Sequence, residues 1–276
     1  MSATALQRLI VRLQFDAGLC RRLATNPNKT LHGIDLSADE RGWLLNSDFR
    51  AYTSDPLFAP RVLHAIVGEY AASSGLAVGH SKQGSRVLLA FFRSERAHRA
   101  VQGGQSLSLA FGDWLISRVT IGVWSDARIA ELARLERTMA RLRRPCAVRG
   151  ALTTLVDTVR TRVGTSILYS EILDGLTSHG DMTAAALHGV RENGPVARLQ
   201  AGMEWVLCRT TYRGPAGRQS LEVLPDALAA LIEAAASGST REQVLARARA
   251  LGADAGEDEA IIADLESDQV LAFPDP

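Results

Sequence analysis

The chain has 276 residues, of which 46% are hydrophobic, 22% charged and 5% aromatic, with 31 basic side chains against 30 acidic ones. This composition buries a core in one large or two smaller domains and excludes a disordered or fibrous chain. A net charge of +1 gives no general attraction to nucleic acid or anionic lipid, and no apolar run is long enough to span a bilayer.

The first residues, MSATALQRLIVRLQFD, lack the basic and then unbroken apolar regions of a secretory signal, so a cytoplasmic location is expected. Leu6, Leu9, Ile10, Leu13, Ala17 and Cys20 recur at three- and four-residue steps, which predicts an amphipathic helix over 4–23, ended by Thr-Asn-Pro-Asn at 25–28. Ser37-Ala-Asp-Glu40 is a capping box: the serine hydroxyl accepts from the Glu40 N–H while the carboxylate reaches back, so a second helix carrying Trp43, Leu44 and Leu45 begins there. Pro56 and Pro60 bracket a break. Val62, Leu63, Ile66, Val67 and Tyr70 predict a helix over 59–74, and Leu88, Leu89, Phe91, Phe92 and His98 another over 85–99. The clearest helix covers 125–144, with Ser125 as cap, Asp126 in the first turn, and a stripe of Ile129, Leu132, Leu135, Met139 and Leu142. Arg141, Arg143 and Arg144 crowd its C-terminal end, where cations suit the helix dipole, and Pro145 stops it. Glu131 and Glu136 interleave with its arginines at pairing distance, which reads as a solvated face and not as a nucleic-acid stripe.

Helical stretches are expected over 152–163 and 167–176, and Glu192-Asn-Gly-Pro195 marks a domain boundary. Beyond it the pattern changes. Segments 197–200 and 205–212 carry β-formers, Arg213-Gly-Pro-Ala-Gly-Arg218 is turn chemistry, and 219–224 alternates Leu221 and Val223 with polar neighbours, so a small antiparallel sheet is expected. Helices over 225–236, 240–251 (with Ser239-Thr-Arg-Glu242 as its capping box) and 257–267 follow, giving β-β-β-α-α-α. The fold class is therefore mainly α with a small α+β C-terminal domain, divided into 1–195 and 196–276.

Cys20, Cys146 and Cys208 are odd in number and unpaired in spacing, which favours free buried thiols over disulfides or zinc. The six histidines form no H-x-H or H-E-x-x-H. Gly79-His-Ser-Lys-Gln-Gly84-Ser-Arg has the glycine spacing of a phosphate loop but places Ser85 and Arg86 where lysine and a hydroxyl are needed, and Ser81 is one residue off a nucleophile elbow. No catalytic residue and no metal or cofactor in this chain is expected.

A winged helix reading DNA would set its last helix in the major groove. Here that helix offers Glu257, Asp258, Glu259, Asp264, Glu266 and then Asp268, with no lysine or arginine, and carboxylates repel phosphate. The same order of elements resembles the PqqD-like RiPP recognition element, which holds the leader of a ribosomally made precursor peptide by adding it as a strand. The resemblance implies an edge strand at Gln219, Leu221 and Val223 and a clamp at Ile261, Ile262 and Leu265. Upstream, Phe91-Phe-Arg-Ser94, Ser108-Leu-Ala-Phe-Gly-Asp-Trp114 and Glu131-Leu-Ala-Arg-Leu-Glu136 resemble segments of the partner proteins of multinuclear non-heme iron-dependent oxidative enzymes (MNIO), nearest to the TglI type of 3-thiaglutamate biosynthesis. Asn26-Pro27, Asp35-Leu-Ser37, Glu40 and Asp48-Phe49-Arg50 fit the helical N-terminus of the same group. That family implies a non-catalytic subunit forming a heterodimer with an iron-bearing TIM-barrel oxidase, and a precursor peptide modified at a cysteine near its C-terminus. Asp113 and Trp114 are the expected partner interface, with packed core as the other reading of Trp114. The rival functions are a winged-helix transcription regulator and a stand-alone enzyme with a dispersed site.

Overall fold

The computed structural model describes residues 3–15, 17–47, 58–144, 153–190, 198–213, 216–254, 256–271 and 273. Among these the fold is mainly helical, with fifteen α-helices and one antiparallel sheet of three strands. The chain divides into two compact units, residues 1–130 with 173–193, and residues 131–172 with 194–276.

The first unit starts with α1 (Ala3–Phe15), α2 (Ala17–Thr25), α3 (Pro27–Thr30) and α4 (Ala38–Leu45). The single helix expected over 4–23 is thus two. Cys20 Sγ donates to the Leu13 carbonyl at 3.2 Å, whereas seven residues of continuous helix would hold them about 10 Å apart, so the chain folds back to bury Leu9, Leu13, Leu19 and Leu23 together with Leu31 and Leu44. Asn26 caps α3 by accepting from Lys29 N. The capping box of α4 forms as read, Ser37 Oγ accepting from Glu40 N at 3.1 Å and Glu40 Oε2 from Ser37 N at 2.7 Å.

Segment 59–74, expected as one helix, belongs to α5 (Phe58–Val67) and α6 (Ala71–Gly79). Tyr70 at the break leaves the helical conformation (φ −129°, ψ 42°), and its fully buried ring lies against Gly112, where a Cβ would come within 2.5 Å of the phenol oxygen. Pro60 does not break the chain but sits in the first turn of α5, where a missing N–H costs nothing; Pro56 lies outside the described residues. The helix expected over 85–99 is likewise split into α7 (Arg86–Leu89), a 3₁₀ turn (Ala90–Arg93) and α8 (Glu95–Gln102). Ser94, extended, caps α8 by accepting from Ala97 N at 3.2 Å. The next helix, α9 (Leu107–Thr120), was not anticipated and is capped by Ser106. Its Phe111 and Trp114 join Phe91, Tyr70 and Trp124 in a chain of ring contacts with centroids 5.1–5.7 Å apart. The unit is completed by the start of α10 (Ala127–Leu142), the end of α11 (Thr165–Thr177), and α12 (Met182–His188). Asp126, not Ser125, caps α10, its Oδ1 accepting from Arg128 N at 2.9 Å.

The second unit is built on β1 (Thr153–Arg162), β2 (Met203–Arg213) and β3 (Ala216–Leu224), in that order across the sheet. The helix expected over 152–163 is therefore a strand. Thr154, Val156, Thr158, Val159 and Thr161 are β-branched, and Leu155 and Val159 share one face at period two. Conversely, 198–200 contribute no strand, and Ala197 lies outside the described residues; Gln200 N donates to Val163 O beyond the end of β1. The sheet thus draws its first strand from upstream of residue 195. α13 (Asp226–Ala236), α14 (Arg241–Ala250) and α15 (Glu257–Ser267) follow as read, except that the capping box of α14 is Thr240 with Gln243, one residue beyond Ser239 and Glu242.

Cores lie on both faces of the sheet. Leu135, Met139 and Leu142 of α10 cover Val206 and Cys208, with Leu155, Val159, Tyr169 and Leu221 beside them. Helices α13–α15 cover the opposite face through Leu231, Ile232, Val244, Leu245 and Ile262 against Leu207 and Leu224. The α10 face is not the solvated surface expected for Glu131 and Glu136, both of which are buried. Glu131 pairs with Arg134 and accepts from Arg162 N at 3.2 Å, serving the end of β1.

Candidate functional site

An antiparallel ladder turns the backbone N–H and C=O of successive residues alternately toward and away from each neighbour. Val163 N donates to Gly202 O, so the odd-numbered residues of β1 bond β2 and the even-numbered ones point outward. Continuing through the register, the even residues of β2 bond β1, its odd residues bond β3, and Ser220, Glu222 and Leu224 of β3 bond back. Gln219, Leu221 and Val223 therefore carry backbone groups that point off the outer edge of β3, and no strand pairs there among the described residues. Residues 219–224 therefore lie on an edge strand of the sheet.

Side chains alternate too, and this separates the two halves of the expected clamp. Gln219, Leu221 and Val223 lie opposite Thr210, Cys208 and Val206, on the α10 face. Gln219 Nε2 donates to Met139 O and Thr210 Oγ1 at 3.2 Å each, and its carbonyl accepts from Arg143. Leu221 is half-buried against the α10 core, while Val223 is 50% exposed. Ile262 is fully buried on the opposite side of the sheet, with Ile261 and Leu265 partly buried around the same core. The structure does not bring these apolar side chains together with those of β3, because a strand residue can serve only one face. Leu224, which the reading passed over, is the β3 side chain that meets the core containing Ile262.

α15 is acidic on its surface. Its one buried carboxylate, Asp258, accepts from Arg249 Nε at 2.5 Å and Gly256 N at 2.9 Å. Burial raises its pKa, but the Gly256 N–H and the guanidinium outweigh that and hold the carboxyl below its usual range. Asp258 thus ties α14 to the start of α15, where acids suit the helix dipole.

Trp114 is packed core, 5% exposed within the ring cluster, so it presents no surface anchor; Asp113 beside it is half-buried, 3.6 Å from Arg96. Trp205 packs against the α13–α15 core with Arg160 stacked over its ring. In the loop-like 79–86 segment, Gly79 lets the backbone of Val190 approach, and the Ser81 hydroxyl accepts from Gln83 N, both structural uses. His80 Nε2 lies 3.0 Å from the Asp126 carboxylate that caps α10. Cys20 and Cys208 are buried thiols outside any disulfide, and burial pushes the Cys208 thiol up to about 12; Cys146 lies outside the described residues. Among the described residues no group of three or more His, Cys, Asp or Glu is placed to hold a metal ion, and no helix is long and apolar enough to cross a membrane.

The part of the site that the sequence reading missed is β1, whose outer edge borders a groove on the side of α13. Its signal was the run of threonines and valines, outweighed by a helical reading of Leu155 and Val159. No protein-family model matches the chain, and no curated protein matches it.

Proposed function

We propose that this chain is a non-catalytic subunit that binds the leader of a ribosomally synthesised precursor peptide and presents the peptide to a separate iron-dependent TIM-barrel oxidase, for modification of a cysteine near its C-terminus. The observation that carries the reading is the outward row of backbone groups at Gln219, Leu221 and Val223, on a sheet edge that no other strand covers among the described residues. Strand addition satisfies such groups with main-chain hydrogen bonds, and the exposed Val223 offers a side-chain contact. The run β2-β3-α13-α14-α15, with β1 supplied from upstream, supports a PqqD-like module. The iron belongs to the partner. Tethering the leader raises the effective concentration of the reacting cysteine at that iron, so a weakly held core segment still reacts.

The acidic surface of α15 disfavours the alternative of a DNA-reading winged helix. The test is to search the neighbouring genes for a TIM-barrel oxidase and a short precursor reading frame and to coexpress them with this chain. The expected result is a heterodimer that retains the precursor through its leader. Independent elution of the two proteins at micromolar concentration, or salt-sensitive retention of duplex DNA in place of peptide, overturns the reading.

A further inference from the structure

The outer edge of β1 borders a groove of about 780 Å³. It is lined by β1 residues 154–158, the last turns of α13, residues 269–271 and Arg141. Ala235 and Ala236, the small side chains among the α13 residues that line it, leave part of this space open. By the register established above, Thr154, Val156 and Thr158 point their backbone groups outward, toward the groove. The far end of this edge is occupied: Arg162 N donates to Glu131 and Thr158 N to the Asp157 carboxylate. Thr154 and Val156 are left as the outward donors and acceptors beside open space.

We propose that this groove binds an extended peptide segment as an added strand on β1, a second peptide site distinct from the β3 edge. A strand lies about 4.8 Å from its neighbour and advances about 3.3 Å per residue, so residues 154–158 offer a track for roughly five residues of ligand. The charges on its walls select the ligand. Arg141 and Asp157 neutralise each other, Arg141 Nε donating to Asp157 Oδ2 at 2.8 Å. Glu233, exposed on α13, has no ion-pair partner among the described residues and leaves the groove with one net negative charge. The side chains that the segment turns toward α13, every second one, therefore combine small apolar groups beside Ala235 and Ala236 with a lysine or arginine beside Glu233.

The probe is a phage-displayed library of random dodecapeptides, panned on the full-length protein, with the selected sequences resynthesised and measured by fluorescence anisotropy and amide hydrogen exchange. Selected peptides are expected to carry small apolar residues and a lysine or arginine at every second position, and to protect the Thr154 and Val156 amides. Thr154→Pro removes an outward donor without touching the β1–β2 ladder, and Ala235→Trp fills the groove from a half-buried helix position; each should weaken binding at least about tenfold, with circular dichroism showing both folded. Glu233→Lys, at an exposed site, should move the selection from basic to acidic peptides. The proposal fails if no peptide binds at millimolar concentration, if folded Thr154→Pro and Ala235→Trp both bind unchanged, or if the protected amides are Leu221 and Val223 of β3. It fails equally if light scattering shows that the β1 edge pairs with a second copy of the chain and Thr154→Pro abolishes that dimer. Because the library contains neither precursor nor oxidase, failure of the leader-presenting role leaves this measurement interpretable.

Discussion

The two compact units hold themselves together in different ways. The first is closed by aromatic rings: Phe15 stacks on Phe92 with centroids 4.4 Å apart, and Tyr70, Phe91, Phe111 and Trp114 continue the contacts inward. The second has an aliphatic core on each face of a three-stranded sheet, and both outer strands turn backbone groups away from the ladder. Helices satisfy their own backbone, so a helical unit offers a ligand only side chains. A small open sheet cannot do so, and its edges remain reactive toward any extended chain. The strand addition proposed above therefore draws on the second unit.

The largest effect expected is on the aromatic cluster. Phe111→Ala should lower the stability of the first unit by about 3–5 kcal/mol, from lost burial and the cavity left behind. Gly112→Ala should cost about 1–3 kcal/mol, since the new methyl meets the immobile Tyr70 ring. Amide exchange resolved by residue is the readout: amides of α6, α8 and α9 should lose protection while those of β2 keep theirs. Equal loss in both units would erase the distinction drawn above.

A pair of prolines sharpens the other side of the comparison. Ser220 points its N–H into the ladder with β2, so Ser220→Pro should destabilise the sheet by about 3 kcal/mol. Leu221 points its N–H outward, so Leu221→Pro keeps the ladder and should cost less, about 1 kcal/mol from its half-buried side chain, while abolishing strand addition at β3. Leader affinity and melting temperature, measured on both variants, should move in opposite patterns. If Leu221→Pro binds the leader as well as the parent, the leader does not use this edge.

How much of this was legible depended on whether the local signal was complete within a few residues. The capping box at Ser37, the stripe of α10 and the span of α15 carry their determinants in adjacent turns, and all three formed where the pattern placed them. The breaks at Gly68 and Ser94 were hidden because an apolar period of three and four continues across them; what interrupts the helix is Tyr70 seating against Gly112 and a serine cap inside the run. β1 was misread because a strand covered on both faces loses the clean alternation that marks a half-exposed one, and its partner strand lies some forty residues downstream. That Val223 and Ile262 lie on opposite faces of the sheet is a matter of parity, which becomes visible only once the register is known.

Capping gives smaller effects, one in each unit. Ser37→Ala and Thr240→Ala each remove a hydroxyl that accepts from the first turn of a helix, and each should cost about 1 kcal/mol. Urea denaturation compared with the parent protein measures both. A loss confined to Ser37→Ala would mean that Gln243 alone secures the start of α14.

The smallest effect is a pH dependence, and it belongs to the first unit. His98 on α8 is 6% exposed, and its Nε2–H donates to the Phe92 carbonyl at 3.1 Å. Burial disfavours the imidazolium; the Phe92 carbonyl and Glu95 favour it, Arg12 and Arg8 oppose it, and the balance lies below the ordinary value of 6.5. As pH falls through that value the unfolded chain takes up a proton that the folded chain refuses, so stability decreases on acidification until the folded histidine also titrates. The depressed carboxyls of Asp126 and Asp258 act with the onset lower: their contribution is present above the usual carboxylate pKa, near 3.8, and is lost as pH falls below it. Amide exchange in α8, followed from about pH 7.5 down to about pH 5 with intrinsic rates corrected, should show a decline in protection that His98→Gln removes and His64→Gln, at an exposed position, leaves intact. An unchanged slope in His98→Gln would assign the acid sensitivity of the unit to other groups and leave His98 a purely steric part of the core.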